Sequence, residues 1–285
     1  MAFMTVEDRL DKHPDQRFDR ELNSIIEEEL LKLRDDKDLL VHIQSPGFVV
    51  AAKPRLTSEY LFLTTLHNGT YIPTKMSSKC KWGPEERLCE EDIGTADLYR
   101  DLFHEFGGIW FNTLFSRFWI DLNRSEDEGL LKYGKNEKEE NNYNFKKPAF
   151  LRKENEARKF YKAFYKMVRS ETKDKMFLFS GHSMREHNKD KSIRPDYCLI
   201  KKNDTDDTGL KHILTEMGYD AQINNPFKYD EGHFMVYMES ILNNYRSVEF
   251  ETNKSLYTTK DRTIIDTNKL NQTKETILKA MKKII

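Results

Sequence analysis

Met176-Phe177-Leu178-Phe179-Ser180-Gly181-His182-Ser183-Met184 opens with four apolar residues and closes on a histidine beside a glycine. A short apolar run bounded by turn residues suits a fully buried strand. The strand is expected over Met176–Phe179, with His182 at its end. Open α/β sheets place ligand sites just beyond their strand ends.

Working outward, the same pattern recurs. Tyr60 to Leu66 is an apolar run that leads directly into His67-Asn68-Gly69-Thr70-Tyr71-Ile72-Pro73, a second strand-terminal histidine beside a glycine turn. Phe48 to Ala52, Ile109 to Phe115 and Tyr197 to Ile200 read as further buried strands. Ser116-Arg117-Phe118-Trp119-Ile120-Asp121-Leu122-Asn123-Arg124 reads as a short strand with an aromatic and β-branched middle and polar ends. Ser247 to Lys254 alternates, so Val248 and Phe250 on one face put Glu249 and Glu251 together on the other. Helical periodicity appears over Arg17 to Asp35, from about Asp97 with Leu98, Leu102 and Phe103, over Glu154 to Arg169, over Thr208 to Met217 with Gly218 as C-cap, and from Asp266 to Ile285. Alternating α and β elements predict an α/β fold with a mixed or mostly parallel sheet covered by helices on both faces.

The 285 residues are expected to form a single domain, residues 1–285, with a helical extension at 1–45 and a polar surface excursion at 125–149. Residues 219–246 are expected to be largely loop. The composition, 38% hydrophobic and 33% charged, supports a sizeable core under a heavily solvated surface. A net charge of −1, with lysines spread among acids, argues against nucleic acid as a partner. No run approaches the roughly 18 apolar residues of a membrane span, and the first nineteen residues lack an apolar signal core. Cys80, Cys89 and Cys198 lack paired metal-type spacing and read as free thiols of a reducing cytoplasm.

The chemistry-bearing residues gather on these elements. Zinc hydrolases use three protein ligands, often two histidines and a carboxylate, and leave a position open for water. His67, His182 and an acid from Glu91-Asp92 supply that set. Glu251 is placed to take a proton from the water, and Arg117 to steady an oxyanion. Arg124 with Asn123 suits a bidentate grip on a substrate carboxylate. His13, His42 and His212 read as surface or helix residues, His104 as a helix residue, and His233 as a loop histidine in reach of a pocket.

His67-x-Gly69-x-x-x-Pro73, Glu91-Asp92, Ser116-Arg117-x-x-x-Asp121-Leu122-Asn123-Arg124, Gly181-His182-Ser183-Met184 and Glu251-x-Asn253-Lys254-x-Leu256-Tyr257 resemble, in that order, the N-formylglutamate amidohydrolase family. That family is related to the zinc carboxypeptidases and succinylglutamate desuccinylases, and the resemblance spans roughly residues 60 to 265. It implies a phosphorylase/hydrolase-like, three-layer α/β/α sandwich, one zinc ion or another divalent metal, and a small carboxylate-bearing substrate such as an N-acylated acidic amino acid. Carried over, it implies His67 and His182 as metal ligands, Arg117 as an oxyanion or substrate contact, Asn123 and Arg124 as carboxylate binders, and Glu251 as general base. The carboxypeptidase pattern puts a glutamate where this chain has Thr70. The third ligand must then come from elsewhere: Asp92 first, with Glu91 and then Asp97 behind it. The leading expectation is a zinc-dependent amidohydrolase. A carboxypeptidase-like peptidase and an inactive binding relative are the alternatives.

Overall fold

The computed structural model describes residues 4–5, 20–44, 47–130, 147–173, 175–229, 233–243, 245–260 and 264–285. In chain order the elements are β1 (Met4–Thr5), α1 (Arg20–Leu33), β2 (Leu40–Gln44), β3 (Phe48–Lys53), β4 (Tyr60–Thr65), α2 (Thr74–Ser77), α3 (Pro84–Glu90), α4 (Thr95–Phe106) and β5 (Gly108–Thr113). There follow α5 (Glu126–Gly129), α6 (Lys147–Ser170), β6 (Met176–Met184), β7 (Tyr197–Ile200), α7 (Leu210–Glu216), β8 (Ala221–Ile223), α8 (His233–Ile241), β9 (Tyr245–Asn253) and α9 (Thr267–Met281). All nine strands join one mixed sheet in the order β1-β2-β3-β5-β4-β6-β9-β7-β8. Its centre, β5-β4-β6-β9, is parallel. β3 runs antiparallel to β5, and β7 antiparallel to β9.

The central strands are apolar because both of their faces are covered. On one face Phe103 and Tyr99 of α4 pack against Trp110 and Phe179, with ring centroids 6.0 and 5.2 Å apart. On the other, Phe164 of α6 packs on Phe111 and Phe48, at 6.0 and 5.7 Å. Trp110 and Phe111 are neighbours on β5, so the strand alternation sends one ring to each helical layer. The three-layer α/β/α sandwich and its mixed sheet are thus in place. Among the described residues no helix is long and apolar enough to cross a membrane.

Gly181 marks a close approach of α4 to the sheet. A Cβ there would lie 2.2 Å from Tyr99 Cδ2, so Gly181→Ala is expected to destabilise the protein by about 1–3 kcal/mol through overpacking, read as a lower midpoint of urea unfolding. The close approach also lets the Tyr99 hydroxyl donate to the His182 carbonyl at 2.8 Å.

Several local expectations are corrected. Ser116–Arg124 is a run of turns, because Trp119 N and Ile120 N donate back to Ser116 O at 2.9 and 3.2 Å and close the chain on itself. Its aromatic middle fills the core without belonging to the sheet. β6 continues through His182 to Met184, so this histidine lies within its strand, paired with β9 in register with Glu251. Residues 219–246 hold β8 and α8 and enter β9. The 1–45 stretch contributes β1 and β2 to the sheet besides its helix. The excursion at 125–149 contains α5 and the first turn of α6, while 131–146 lie outside the described residues, as does His13.

Candidate metal centre

Three chain segments converge beyond the carboxyl end of β4. His67 sits in the turn that follows this strand. Its carbonyl accepts from Asp92 N at 3.0 Å, and Asn68 Oδ1 accepts from Ala96 N at 3.0 Å in the first turn of α4. The turn before α4 is thereby fastened to the end of β4, which carries Asp92 to His67. His182 comes from the neighbouring strand β6.

The three side chains present one atom each to a common point. His182 Nδ1 lies 3.2 Å from His67 Nδ1 and 3.1 Å from Asp92 Oδ2, and His67 Nδ1 lies 3.4 Å from Asp92 Oδ2. All three residues are buried. Ligand atoms bound at about 2.0–2.1 Å around a tetrahedral zinc stand roughly 3.3 Å apart. The triangle has the edge lengths of one face of such a tetrahedron, so the residues present fit the ion. The far nitrogens are occupied. His67 Nε2 is 2.7 Å from Asp121 Oδ1 and His182 Nε2 is 3.1 Å from Ser180 Oγ. A carboxylate only accepts, so Asp121 holds the proton of His67 on Nε2 and turns the Nδ1 lone pair into the triangle.

The charges are matched to that arrangement. Burial works against ionising Asp92, but the two histidines outweigh it and hold its carboxyl well below the usual range. Burial likewise opposes the Asp121 anion, and Arg117 and His67 keep it ionised. Burial and Arg117 push His67 down, yet Asp121 and Asp92 bring it above its ordinary value.

Beside the triangle is a cavity of about 320 Å³ lined by Arg117, Arg124, Glu249 and Glu251, among others. Glu249 and Glu251 share one face of β9 and are both buried. Among the described residues the Oε2 atom of each has no hydrogen-bond partner. Burial, with Asp92 and Glu249 adding, pushes Glu251 up to about 8 against the opposing pull of His182 and Arg117. A buried carboxyl with a raised pKa, next to three convergent side-chain atoms, marks a candidate for acid–base chemistry.

The remaining residues singled out by the sequence fall as follows. Arg117 Nη2 donates to Asp121 Oδ2 at 2.9 Å from within the turn. Arg124 lines the cavity. Asn123 lines it too, but its side chain is engaged: Nδ2 donates to Glu249 Oε1 at 3.0 Å and Oδ1 accepts Phe234 N at 3.1 Å at the start of α8. Glu91 points away from the triangle, where Ser116 Oγ donates to its carboxylate. Asp97 is turned to Arg100, 2.6 Å away, on α4. Thr70 is exposed. His233 gives its backbone N–H to Asn123 O at 3.0 Å.

Two contributors were not assigned by sequence reasoning. Asp121 stood inside a quoted motif, and only its 54-residue separation from His67, closed by the fold, shows its part. Lys254 is buried, with its ammonium donating to Cys89 O at 3.1 Å and to Glu91 O. It clamps the segment that carries Asp92.

A family model described as N-formylglutamate amidohydrolase matches residues 60–258. Among solved structures, N-formylglutamate amidohydrolase from Ralstonia eutropha JMP134 is similar with a TM-score of 0.60 at 19% identity, over 84% of this chain and 98% of that one. A gene product of Agrobacterium tumefaciens gives a TM-score of 0.58 at 14% identity, over 84% and 96%. Comparison with curated proteins finds no match.

Proposed function

Because the chain belongs to the N-formylglutamate amidohydrolase family, and so to hydrolases of amide bonds, we propose that it is a zinc-dependent amidohydrolase that cleaves an N-formylated or N-acylated acidic amino acid. The observation that carries the metal dependence is the triangle of His67 Nδ1, Asp92 Oδ2 and His182 Nδ1, with edges of 3.1–3.4 Å and Asp121 behind His67. Bound there, zinc would supply Lewis acidity toward the amide carbonyl and make a nearby water more acidic.

In this reading the chain's own residues do the following. Glu251 takes a proton from the attacking water and delivers it to the leaving nitrogen. Arg117, fixed by Asp121, offers its guanidinium to the negative charge that develops on the carbonyl oxygen. Arg124 takes a carboxylate of the substrate. Asn123 holds the loop that presents Arg124, by capping α8 and bonding Glu249. Asp121 keeps His67 in the ligating tautomer.

The test is elemental analysis of protein purified without added metal or chelator, followed by formate release from N-formyl-L-glutamate. About one zinc per chain with formate release is the expected result. Hydrolysis only of peptides with a free C-terminus would replace the reading with a peptidase. Absence of metal even after incubation with zinc would leave a binding protein on a hydrolase fold.

A further inference from the structure

β6 leaves the sheet in a hairpin whose arms bridge at His187 and Ile193. Within it Asn188 N donates to Ser192 O at 2.9 Å and Arg194 N to Glu186 O at 2.8 Å. The hairpin is fastened to the end of β9: Asn253 Nδ2 donates to Pro195 O at 3.1 Å and Asn253 N to Asp196 O at 2.9 Å. The hairpin is therefore positioned by the strand that carries Glu251.

On this frame the Arg194 side chain is held from two directions. Its Nε donates to Asn188 Oδ1 at 2.8 Å, and its guanidinium carbon lies 5.0 Å from the centroid of the Phe227 ring. Fixing Nε and one face leaves the paired terminal nitrogens as the fork for a ligand. Arg194 lines the same cavity as Glu251 and is half-buried there. Arg117 and Arg185, which also line it, are paired with Asp121 and Glu90. Among the described residues Arg194 has no carboxylate oxygen within 4.0 Å. Burial accordingly lowers its pKa, with Glu251 pulling the other way. A partly desolvated, prepositioned guanidinium with no anion of its own is completed by one from outside. One wall beside it is apolar: Met184 and Ile200, which line the cavity, cluster with buried Cys198 against Phe227.

We propose that Arg194 is the specificity-determining residue of this site. It receives an anionic group of the substrate remote from the scissile amide and separate from the carboxylate at Arg124, while the methylenes between run along Met184, Ile200 and Phe227. This rests on the hydrolase reading above and adds to it the residue that reads the end of the substrate's side chain.

The test compares N-formyl-L-glutamate with N-formyl-L-glutamine, which has nearly the same shape and a neutral end. Dissociation constants by calorimetry, and turnover, are measured for zinc-loaded wild type, Arg194→Gln and Arg194→Lys. Wild type is expected to prefer the glutamate compound by about 10–100-fold, the range of a charge-assisted pair. Arg194→Gln is expected to lose that factor in KM with kcat little changed, to leave the glutamine compound unaffected, and to be partly rescued by Arg194→Lys. Equal binding of both compounds by wild type, or equal weakening of both in Arg194→Gln, would overturn the role. Preference without turnover of either compound would sink the hydrolase reading and leave Arg194 standing. Turnover of both at equal kcat/KM would do the reverse, and binding of neither would overturn both.

Discussion

Glu251→Gln is expected to lower kcat for amide hydrolysis by about 10²–10⁴-fold while the protein keeps its fold and its metal. The substitution is nearly isosteric, and among the described residues Glu251 Oε2 has no hydrogen-bond partner to lose. What disappears is the one function that needs a carboxylate, proton acceptance. The pH profile gives a second readout. A base works ionised, so activity rises with pH through the Glu251 pKa. Burial places that value at about 8 in the metal-free chain. A divalent cation at the neighbouring triangle favours the anion, so the acid limb of kcat/KM is expected below pH 8 in the zinc-loaded enzyme and absent in Glu251→Gln. Steady-state kinetics with parallel metal analysis decides the matter. Wild-type turnover in the variant would transfer the role to Glu249, which shares the same strand face.

His182→Ala is expected to abolish both metal retention and turnover. It removes one vertex of the triangle and leaves His67 and Asp92 as a two-point site. The loss in affinity is expected to exceed the roughly 10–100-fold that removal of an outer-shell partner costs. Since zinc binds the folded chain through atoms assembled by folding, zinc should also raise the thermal unfolding midpoint of wild type and not of the variant. His182→Gln, which fills more of the buried space, separates lost ligation from lost packing. Either variant purified with stoichiometric zinc would remove His182 from the ligand set.

Much of the sheet could be read from the chain because its central strands are buried on both faces. Phe48–Ala52 and Met176–Phe179 are continuous apolar runs and Tyr60–Leu66 is one broken only by Thr64 and Thr65, and such runs survive reading without tertiary knowledge. Leu40–Gln44 and Ala221–Ile223 lack that signal, since they are short and near the sheet edges. Ser116–Arg124 misled for the opposite reason: Phe118, Trp119 and Ile120 are core residues carried by turns. At the site, His67 and His182 were visible as polar residues at the ends of apolar runs, and the acids at 91–92 as a cluster before a helix start. The choice of Asp92 over Glu91 was not fixed by spacing, because it depends on which side of a turn faces β4. Asp121 acts through a contact 54 residues away and Lys254 through contacts 163 and 165 residues away, while Arg194 is placed by a local hairpin and Phe227; the motifs that contain the first two do not name those partners.

β9 lies between β6 and β7 although it follows both in the chain. During synthesis His67, Asp92 and His182 all leave the ribosome well before the strand that must slot in beside them. Until β9 inserts, the edge of β6 is open, Glu251 is missing, and the segment before Asp92 lacks the clamp of Lys254. The nascent chain therefore carries the ligands before it carries the site. If the triangle holds zinc as proposed, loading is expected at the end of maturation, after the last central strand closes the gap.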